Sequence, residues 1–143
     1  NMRHKVHLLF TWANELARHP AILDAVEDII GPDILCWSST FFIKEARSPS
    51  FVSWHQDATY FALEPACHVT AWVALSDAPV EAGCMEVVPG SHKLGQLPHA
   101  EMQDPENLLS RGQARATRAA SVRPLVARSS SGRLPASVGQ CTV

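Results

Sequence analysis

The sequence lacks several features that would place it in a common class of protein. Its 143 residues contain no apolar run close to the roughly 20 residues that a membrane-spanning helix needs. Its formal net charge of −2 gives no basic field that would attract nucleic acid. Near the N-terminus, Arg3, His4, Lys5 and His7 interrupt the apolar stretch, which argues against a signal peptide. We therefore expect neither a nucleic-acid nor a membrane partner.

Cysteine is sparse, and the four cysteines form no C-x-x-C pair. A disulfide framework needs denser cysteines in a smaller secreted domain, and a cysteine zinc site needs short paired spacings. We therefore expect reduced thiols in a cytoplasmic protein. Hydrophobic residues make up 46% and charged residues 18% of the chain, which is the balance of an ordinary globular domain.

The last thirty residues have a different composition from the rest. Residues 114–143 are rich in Ala, Arg and Ser and contain no acidic and no aromatic residue. Scattered arginines without an aromatic for base stacking do not favour a nucleic-acid-binding tail. We expect a partial domain at 1–113 and an atypical tail at 114–143, either disordered or produced by frameshifted or chimeric translation.

Hydrophobic periodicity predicts helices followed by strands. Apolar residues at helical spacing predict one helix over residues 6–18 and another from Pro20 to the Gly31-Pro32 stop. Beyond them, β-branched and aromatic segments between turn signals predict strands at 34–43, 51–57, 68–75 and 84–88. This order predicts a mainly β chain with N-terminal helices. An antiparallel double-stranded β-helix, or jelly roll, fits the spacing, although periodicity alone does not separate it from another β-sandwich.

The tetrapeptide Trp54-His55-Gln56-Asp57 carries the clearest chemical signal. In a strand, His55 and Asp57 would point to one face and could converge on one ion. An imidazole and a carboxylate supply two arms of a 2-His-1-carboxylate facial triad, which holds Fe(II) with open coordination positions. The pattern is weak in isolation, since seven histidines give about one such pair by chance. A second pair, His99 and Glu101, lies in a polar stretch that we expect to be a solvated loop.

Further motifs follow the tetrapeptide in order. They are Tyr60-Phe61, an Ala-Trp-x-Ala-Leu pattern at 71–75, and a Gly-Cys segment leading to Pro-Gly-Ser-His-Lys at 83–93. Together these motifs make the stretch 8–113 resemble the phytanoyl-CoA dioxygenase family. The resemblance implies a jelly-roll core, Fe(II), 2-oxoglutarate and O2, with ascorbate as an accessory reductant. It also implies hydroxylation of a small organic molecule as the reaction.

The resemblance assigns roles to individual residues. His55 and Asp57 match the first two iron ligands, and a carboxylate at position 57 implies hydroxylation, because related halogenases have a small residue there. Lys44 and Trp72 match residues of the 2-oxoglutarate pocket, although a solvated strand end and a core aromatic are the alternative interpretations. Trp54 and Gln56 flank the two ligands, and we expect them to lie on the substrate side.

One part of the family pattern has no counterpart in the sequence. The family places a second histidine well downstream, followed by a serine and by an arginine that pairs with 2-oxoglutarate. No histidine follows His99, and His92 matches a family turn. We therefore expect an incomplete triad, missing closing strands, and a chain that is inactive as written. The alternatives are a non-catalytic jelly-roll protein binding zinc through His55, Asp57 and His68, and a degenerate or structural remnant.

Overall fold

A computed structural model describes residues 3–65 and 67–113, together with the backbone of residues 123–124. This part of the chain forms two compact units. The described part of the first unit comprises residues 3–45 and 67–77, and that of the second comprises residues 46–65, 78–113 and 123–124. Within these ranges, no helix has the length and apolar character needed to cross a membrane.

Two helices occupy the first unit where the periodicity predicts them. A 3-10 turn at Val6–Leu8 precedes α1, Thr11–Ala17, and α2 follows at Pro20–Ile30. Proline suits the first turn of α2 because its missing amide hydrogen would have no partner there. The His19 side chain caps the same end, and Gly31, with a φ of 89°, ends the helix. The predicted N-terminal helices are confirmed, although the first begins later than the sequence suggests.

A small core connects the N-terminal turn of the first unit to residue 39. Val6, Ala13 and Ser39 are fully buried. The Ser39 carbonyl accepts a hydrogen bond from the Val6 amide at 3.2 Å, and its hydroxyl accepts one from the His7 amide at 3.0 Å. The buried serine therefore has partners for both of its oxygens, as a polar group in a core requires.

The strand content is lower than predicted. The sequence predicts four strands, at residues 34–43, 51–57, 68–75 and 84–88. Within these segments the structure contains isolated bridges at Thr40 and Phe51 and one two-residue strand, β1 at Glu86–Val87. The described chain is mostly non-helical with few strands, so the mainly β prediction holds only in part. β-Propensity produces a strand only where a second segment offers its backbone groups in register, which local sequence does not report.

Two antiparallel strand pairs and a short helix organise the second unit. β2, Ala100–Glu101, pairs with β3, Arg111–Gly112. β1 pairs with β4, Arg123–Pro124. Helix α3 spans Ala58–Phe61. A parallel bridge between positions 51 and 107 brings the segment before α3 alongside the segment before β3.

The predictions for the tail concern residues that are mostly outside the described part of the chain. Of the segment 114–143, the structure describes only Arg123–Pro124, which form β4. The disordered or frameshifted tail, the incomplete jelly roll and the missing closing strands therefore remain predictions.

Candidate metal centre

The segment carrying the predicted ligands lies beside the stretch that ends at Gln113. The Trp54 carbonyl accepts a hydrogen bond from the Gln113 amide at 2.7 Å. The chain then turns, and Asp57, in the right-handed helical region with φ −58° and ψ −32°, is the N-cap of α3. His55 and Asp57 therefore do not alternate along a strand, and the strand argument for their convergence is wrong.

His55 and Asp57 nevertheless converge. The His55 Nε2 atom lies 3.1 Å from Asp57 Oδ1, and the two side chains are 28% and 32% exposed. The His55 Nδ1 atom lies 2.9 Å from the Ser53 carbonyl oxygen, which can only accept a hydrogen bond. In the neutral imidazole, Nδ1 therefore carries the hydrogen and Nε2 presents its lone pair to the carboxylate. This is the arrangement by which a backbone carbonyl orients a metal-binding histidine.

The spacing of these two donors fits a divalent metal. A lone pair on Nε2 and a lone pair on Oδ1 at 3.1 Å repel each other unless a cation, either a proton or a metal ion, lies between them. Two neighbouring ligands at about 2.1 Å from an octahedral metal are themselves about 3 Å apart. The pair therefore has the donor chemistry and the separation of two adjacent ligands.

The protonation of His55 reflects the same surroundings. Burial lowers its pKa, whereas the hydrogen bonds with Asp57 and the Ser53 carbonyl and the Asp57 charge raise it, and the net result is a pKa above the ordinary value of 6.5. A proton on Nε2 competes directly with a metal for that nitrogen. A metal held by this pair would therefore be displaced more readily as the solution becomes more acidic.

No third ligand accompanies the pair in the described part of the chain. Residues 3–65 and 67–113 contain no group of three or more His, Cys, Asp or Glu side chains that could hold a metal ion. The sequence contains no histidine after His99. Among the described residues, His55 and Asp57 are therefore the two candidate donors.

His99 has a role that the sequence does not reveal. His99 lies in a loop whose residues are mostly exposed, as predicted, but its own side chain is half-buried and its Nε2 atom accepts a hydrogen bond from the Gln56 amide at 2.9 Å. The Gln56 side chain is held by the same segment, donating to the Gly95 carbonyl at 2.9 Å and accepting from the Leu97 amide at 2.7 Å. These contacts join residues about forty positions apart, so no local sequence pattern announces them. The predicted role of Gln56 on the substrate side remains a prediction.

Tyr60 contacts His55, the first of the predicted ligands. Its ring meets the His55 imidazole edge-on, with centroids 5.9 Å apart and planes at 79°. Its hydroxyl donates a hydrogen bond to the Arg111 carbonyl, which anchors the ring to β3. The Tyr60-Phe61 motif of the sequence therefore places the Tyr60 ring against the His55 imidazole.

The remaining predicted site residues are distributed between the two units. Lys44 and Trp72 belong to the first unit and are half-buried, whereas Trp54 belongs to the second and is also half-buried. Their roles towards 2-oxoglutarate and the substrate remain predictions. His92 is exposed in a 3-10 turn at Ser91–Leu94, which agrees with the turn predicted there.

Comparison with known families assigns the chain. The model of the family described as phytanoyl-CoA dioxygenase (PhyH) matches residues 3–129. The chain belongs to this family. The match is longer at both ends than the stretch 8–113 that carries the sequence motifs.

Curated phytanoyl-CoA dioxygenase relatives match shorter segments. A probable phytanoyl-CoA dioxygenase of Caenorhabditis elegans is 33% identical over 92 residues, covering 59% of this chain and 30% of the relative. The human peroxisomal phytanoyl-CoA dioxygenase is 36% identical over 84 residues, covering 56% of this chain and 25% of the relative. The mouse phytanoyl-CoA dioxygenase domain-containing protein 1 is 41% identical over 58 residues, covering 40% and 20%. The chain therefore spans less than a third of these relatives, and no solved structure matches it significantly.

Proposed function

We propose that this chain carries the first two iron ligands, His55 and Asp57, of an Fe(II)- and 2-oxoglutarate-dependent dioxygenase that hydroxylates a small organic molecule. The observation that carries the proposal is the 3.1 Å approach of His55 Nε2 to Asp57 Oδ1, in a chain that belongs to the phytanoyl-CoA dioxygenase family. The family also implies a jelly-roll architecture, O2 as oxidant and ascorbate as accessory reductant. A cytoplasmic location, proposed with it, rests on unpaired cysteine spacing.

The described residues around the pair have distinct tasks in this proposal. Bound iron and 2-oxoglutarate would supply the oxidation of an unactivated C–H bond by O2. His55 and Asp57 would hold the metal on one side, and the Ser53 carbonyl would keep Nε2 turned towards it. Tyr60 restricts rotation of the imidazole by packing against it. This arrangement fixes two donors before a metal arrives, which reduces the ordering that binding requires.

The cosubstrate and substrate assignments rest on family membership. Lys44 and Trp72 are proposed to contact 2-oxoglutarate, and Trp54 and Gln56 to face the substrate. The names of the relatives mention phytanoyl-CoA, and a hydrophobic acyl thioester is one candidate within the class of small organic substrates.

We further propose that the metal triad is incomplete in these 143 residues. The absence of a histidine after His99 supports this view. A site with two protein ligands should bind divalent metal weakly. The chain should then release little more succinate from 2-oxoglutarate than iron in buffer does.

Manganese(II) binding tests the iron-site proposal directly. Mn(II) is a redox-stable substitute for Fe(II), and the decrease in the EPR signal of free Mn(II) measures binding. The parent chain should bind weakly, and His55→Ala and Asp57→Asn should each lower the affinity by about tenfold or more, because each removes a donor. Addition of 2-oxoglutarate should strengthen binding to the parent if the cosubstrate chelates the same ion.

Two variants serve as matched controls for this titration. His92→Ala and Glu101→Gln remove an exposed histidine and an exposed carboxylate of the same unit and should leave Mn(II) binding unchanged. Equal binding by the parent and His55→Ala would disprove the iron site. Stabilisation of the parent by zinc, with no response to Mn(II) and 2-oxoglutarate, would instead support a non-catalytic metal-binding protein.

A further inference from the structure

We propose that His99 is a positioning residue for the metal-binding pair, acting through the backbone of Gln56. This inference rests on the proposed function, because it concerns the same two ligands. Gln56 is the residue between His55 and Asp57, so the orientation of its two peptide groups sets the directions in which both ligand side chains leave the chain. The His99 imidazole is the group that receives the Gln56 amide hydrogen, at a distance of 2.9 Å.

The hydrogen-bond partners of His99 define its tautomer. Its Nδ1 atom lies 2.9 Å from the Leu97 carbonyl oxygen, which can only accept, so Nδ1 carries the hydrogen. The Thr59 hydroxyl lies 3.1 Å from the same nitrogen. Nε2 must then be the unprotonated nitrogen, and its lone pair receives the Gln56 N–H. Both nitrogens of His99 are therefore engaged, which explains why the His99-x-Glu101 pattern is not a second metal pair.

The segment 95–99 holds Gln56 at several atoms. Its backbone amide bonds to His99, its side-chain oxygen accepts from the Leu97 amide, and its side-chain nitrogen donates to the Gly95 carbonyl. Rotating the His55–Gln56 peptide would break the amide bond to His99 and would pull the Gln56 side chain away from its two partners. Gln56, Leu97 and His99 are half-buried, and a donor that loses its acceptor there is not fully compensated by water.

Helix α3 connects the network to the second ligand. The Thr59 amide donates to the Gln56 carbonyl at 3.1 Å, and the Thr59 hydroxyl contacts His99. Asp57 is the N-cap of this helix. His99 therefore contacts both the residue before Asp57 and the helix that Asp57 begins, which fixes the carboxylate relative to His55.

Three substitutions of His99 separate positioning from general stability. His99→Gln extends an amide oxygen to about the place of Nε2 and can still accept from the Gln56 amide. His99→Asn is shorter and reaches only about the place of Nδ1, and His99→Ala has no acceptor. We expect His99→Gln to keep Mn(II) affinity close to that of the parent and the other two to lose about tenfold, the range found when an outer partner of a metal ligand is removed.

NMR of the full chain provides the measurement. Broadening of the His55 imidazole signals by Mn(II) reports binding even when it is weak, and hydrogen exchange of the Gln56 amide reports the proposed bond. Exchange should be slow in the parent and His99→Gln, and faster in His99→Asn and His99→Ala. His92→Gln is the matched control, since it changes an exposed histidine of the same unit.

The outcomes distinguish this inference from the proposed function. If the EPR titration shows that His55→Ala abolishes Mn(II) binding but all His99 variants bind like the parent, the iron site stands and the positioning role is overturned. If the parent and His55→Ala give the same EPR titration, the proposed function itself fails. Should the Asn and Ala variants not fold, the tautomer of His99 in the parent decides, because 15N shifts showing hydrogen on Nε2 at neutral pH would overturn the inference.

Discussion

Replacement of Gly112 by alanine should destabilise the second unit through steric conflict, mainly with Ser53. A Cβ atom at position 112 would clash with Ser53 Oγ and would lie 2.9 Å from Ser53 Cβ and 3.2 Å from Met102 Cγ, whereas ordinary van der Waals contact is at 3.4–4 Å. Ser53 is only 8% exposed and cannot swing into solvent. Its hydroxyl accepts a hydrogen bond from Asn107 Nδ2 at 3.1 Å, and its amide donates to Asn107 Oδ1 at 3.2 Å.

The size of the effect follows from the displacement that is needed. Ser53 or strand β3 must shift by about 1 Å, and inserting a methyl group into a packed site of this kind typically costs about 1–3 kcal/mol. With a urea m-value of about 2 kcal/mol/M, the unfolding midpoint should fall by about 1 M. Urea titration followed by tryptophan fluorescence measures this shift. Because the Ser53 carbonyl orients His55, Gly112→Ala should also weaken Mn(II) binding.

A double-mutant cycle tests whether the conflict with Ser53 is the cause. Ser53→Gly removes the two nearest clashing atoms, and by itself it should cost about 1 kcal/mol through the lost hydroxyl hydrogen bond. In the Gly112→Ala background the same change should restore stability, giving a coupling of about 1–2 kcal/mol. Additive effects, or a Gly112→Ala variant as stable as the parent, would refute this explanation.

Two further predictions concern thiol reactivity and pH. Iodoacetamide should label Cys67 before Cys36 and Cys84, because Cys67 is exposed and Cys84 is buried. Burial also raises the pKa of Cys36, despite the opposing charge of Arg18, and so lowers its reactivity. Peptide mass spectrometry over time measures the order of labelling, and earlier reaction of Cys36 would contradict the prediction. In the metal-free chain, the raised pKa of His55 contributes stability that is fully present below pH 6.5 and is lost as the pH rises through the folded-state pKa. Urea midpoints measured across this range should therefore fall with pH in the parent and less so in a His55→Gln variant.

The helices were predictable because their signals are local. Pro20 at the first position of α2 and Gly31 after its last residue lie within the helix or next to it, and the apolar periodicity between them needs no distant partner. The strands were not predictable from local sequence, because a strand needs a second backbone in register. The segment 51–57 shows why: it makes one bridge at Phe51, and the backbone it contacts lies beyond residue 100. Alternating or β-branched residues report the capacity to pair, and only the pairing partner decides the outcome.

The candidate site was predictable in its residues and not in its geometry. His55 and Asp57 were identified from residue type, spacing and the motifs that follow them. The structure brings these two side chains together, although by a turn into α3 instead of by alternation along a strand. Ser53 and His99 were missed, because one contributes a backbone carbonyl and the other a contact from more than forty residues away. Neither kind of interaction leaves a recognisable pattern near the tetrapeptide.

The means by which the pair converges has a consequence for judging His-x-Asp patterns. On a strand, the backbone alone would direct both side chains to one face, and the spacing would be sufficient. At the start of a helix the spacing is not sufficient, so the 3.1 Å approach of His55 Nε2 to Asp57 Oδ1 depends on contacts from outside the tetrapeptide. Here those contacts are a carbonyl on His55 Nδ1 and an imidazole on the Gln56 amide. His99 and Glu101 have the same spacing, but both nitrogens of that imidazole are already occupied by other partners. We therefore expect a metal-binding His-x-Asp pair to have an Nε2 lone pair facing the carboxylate, as His55 does in its neutral form, and spacing alone does not report this.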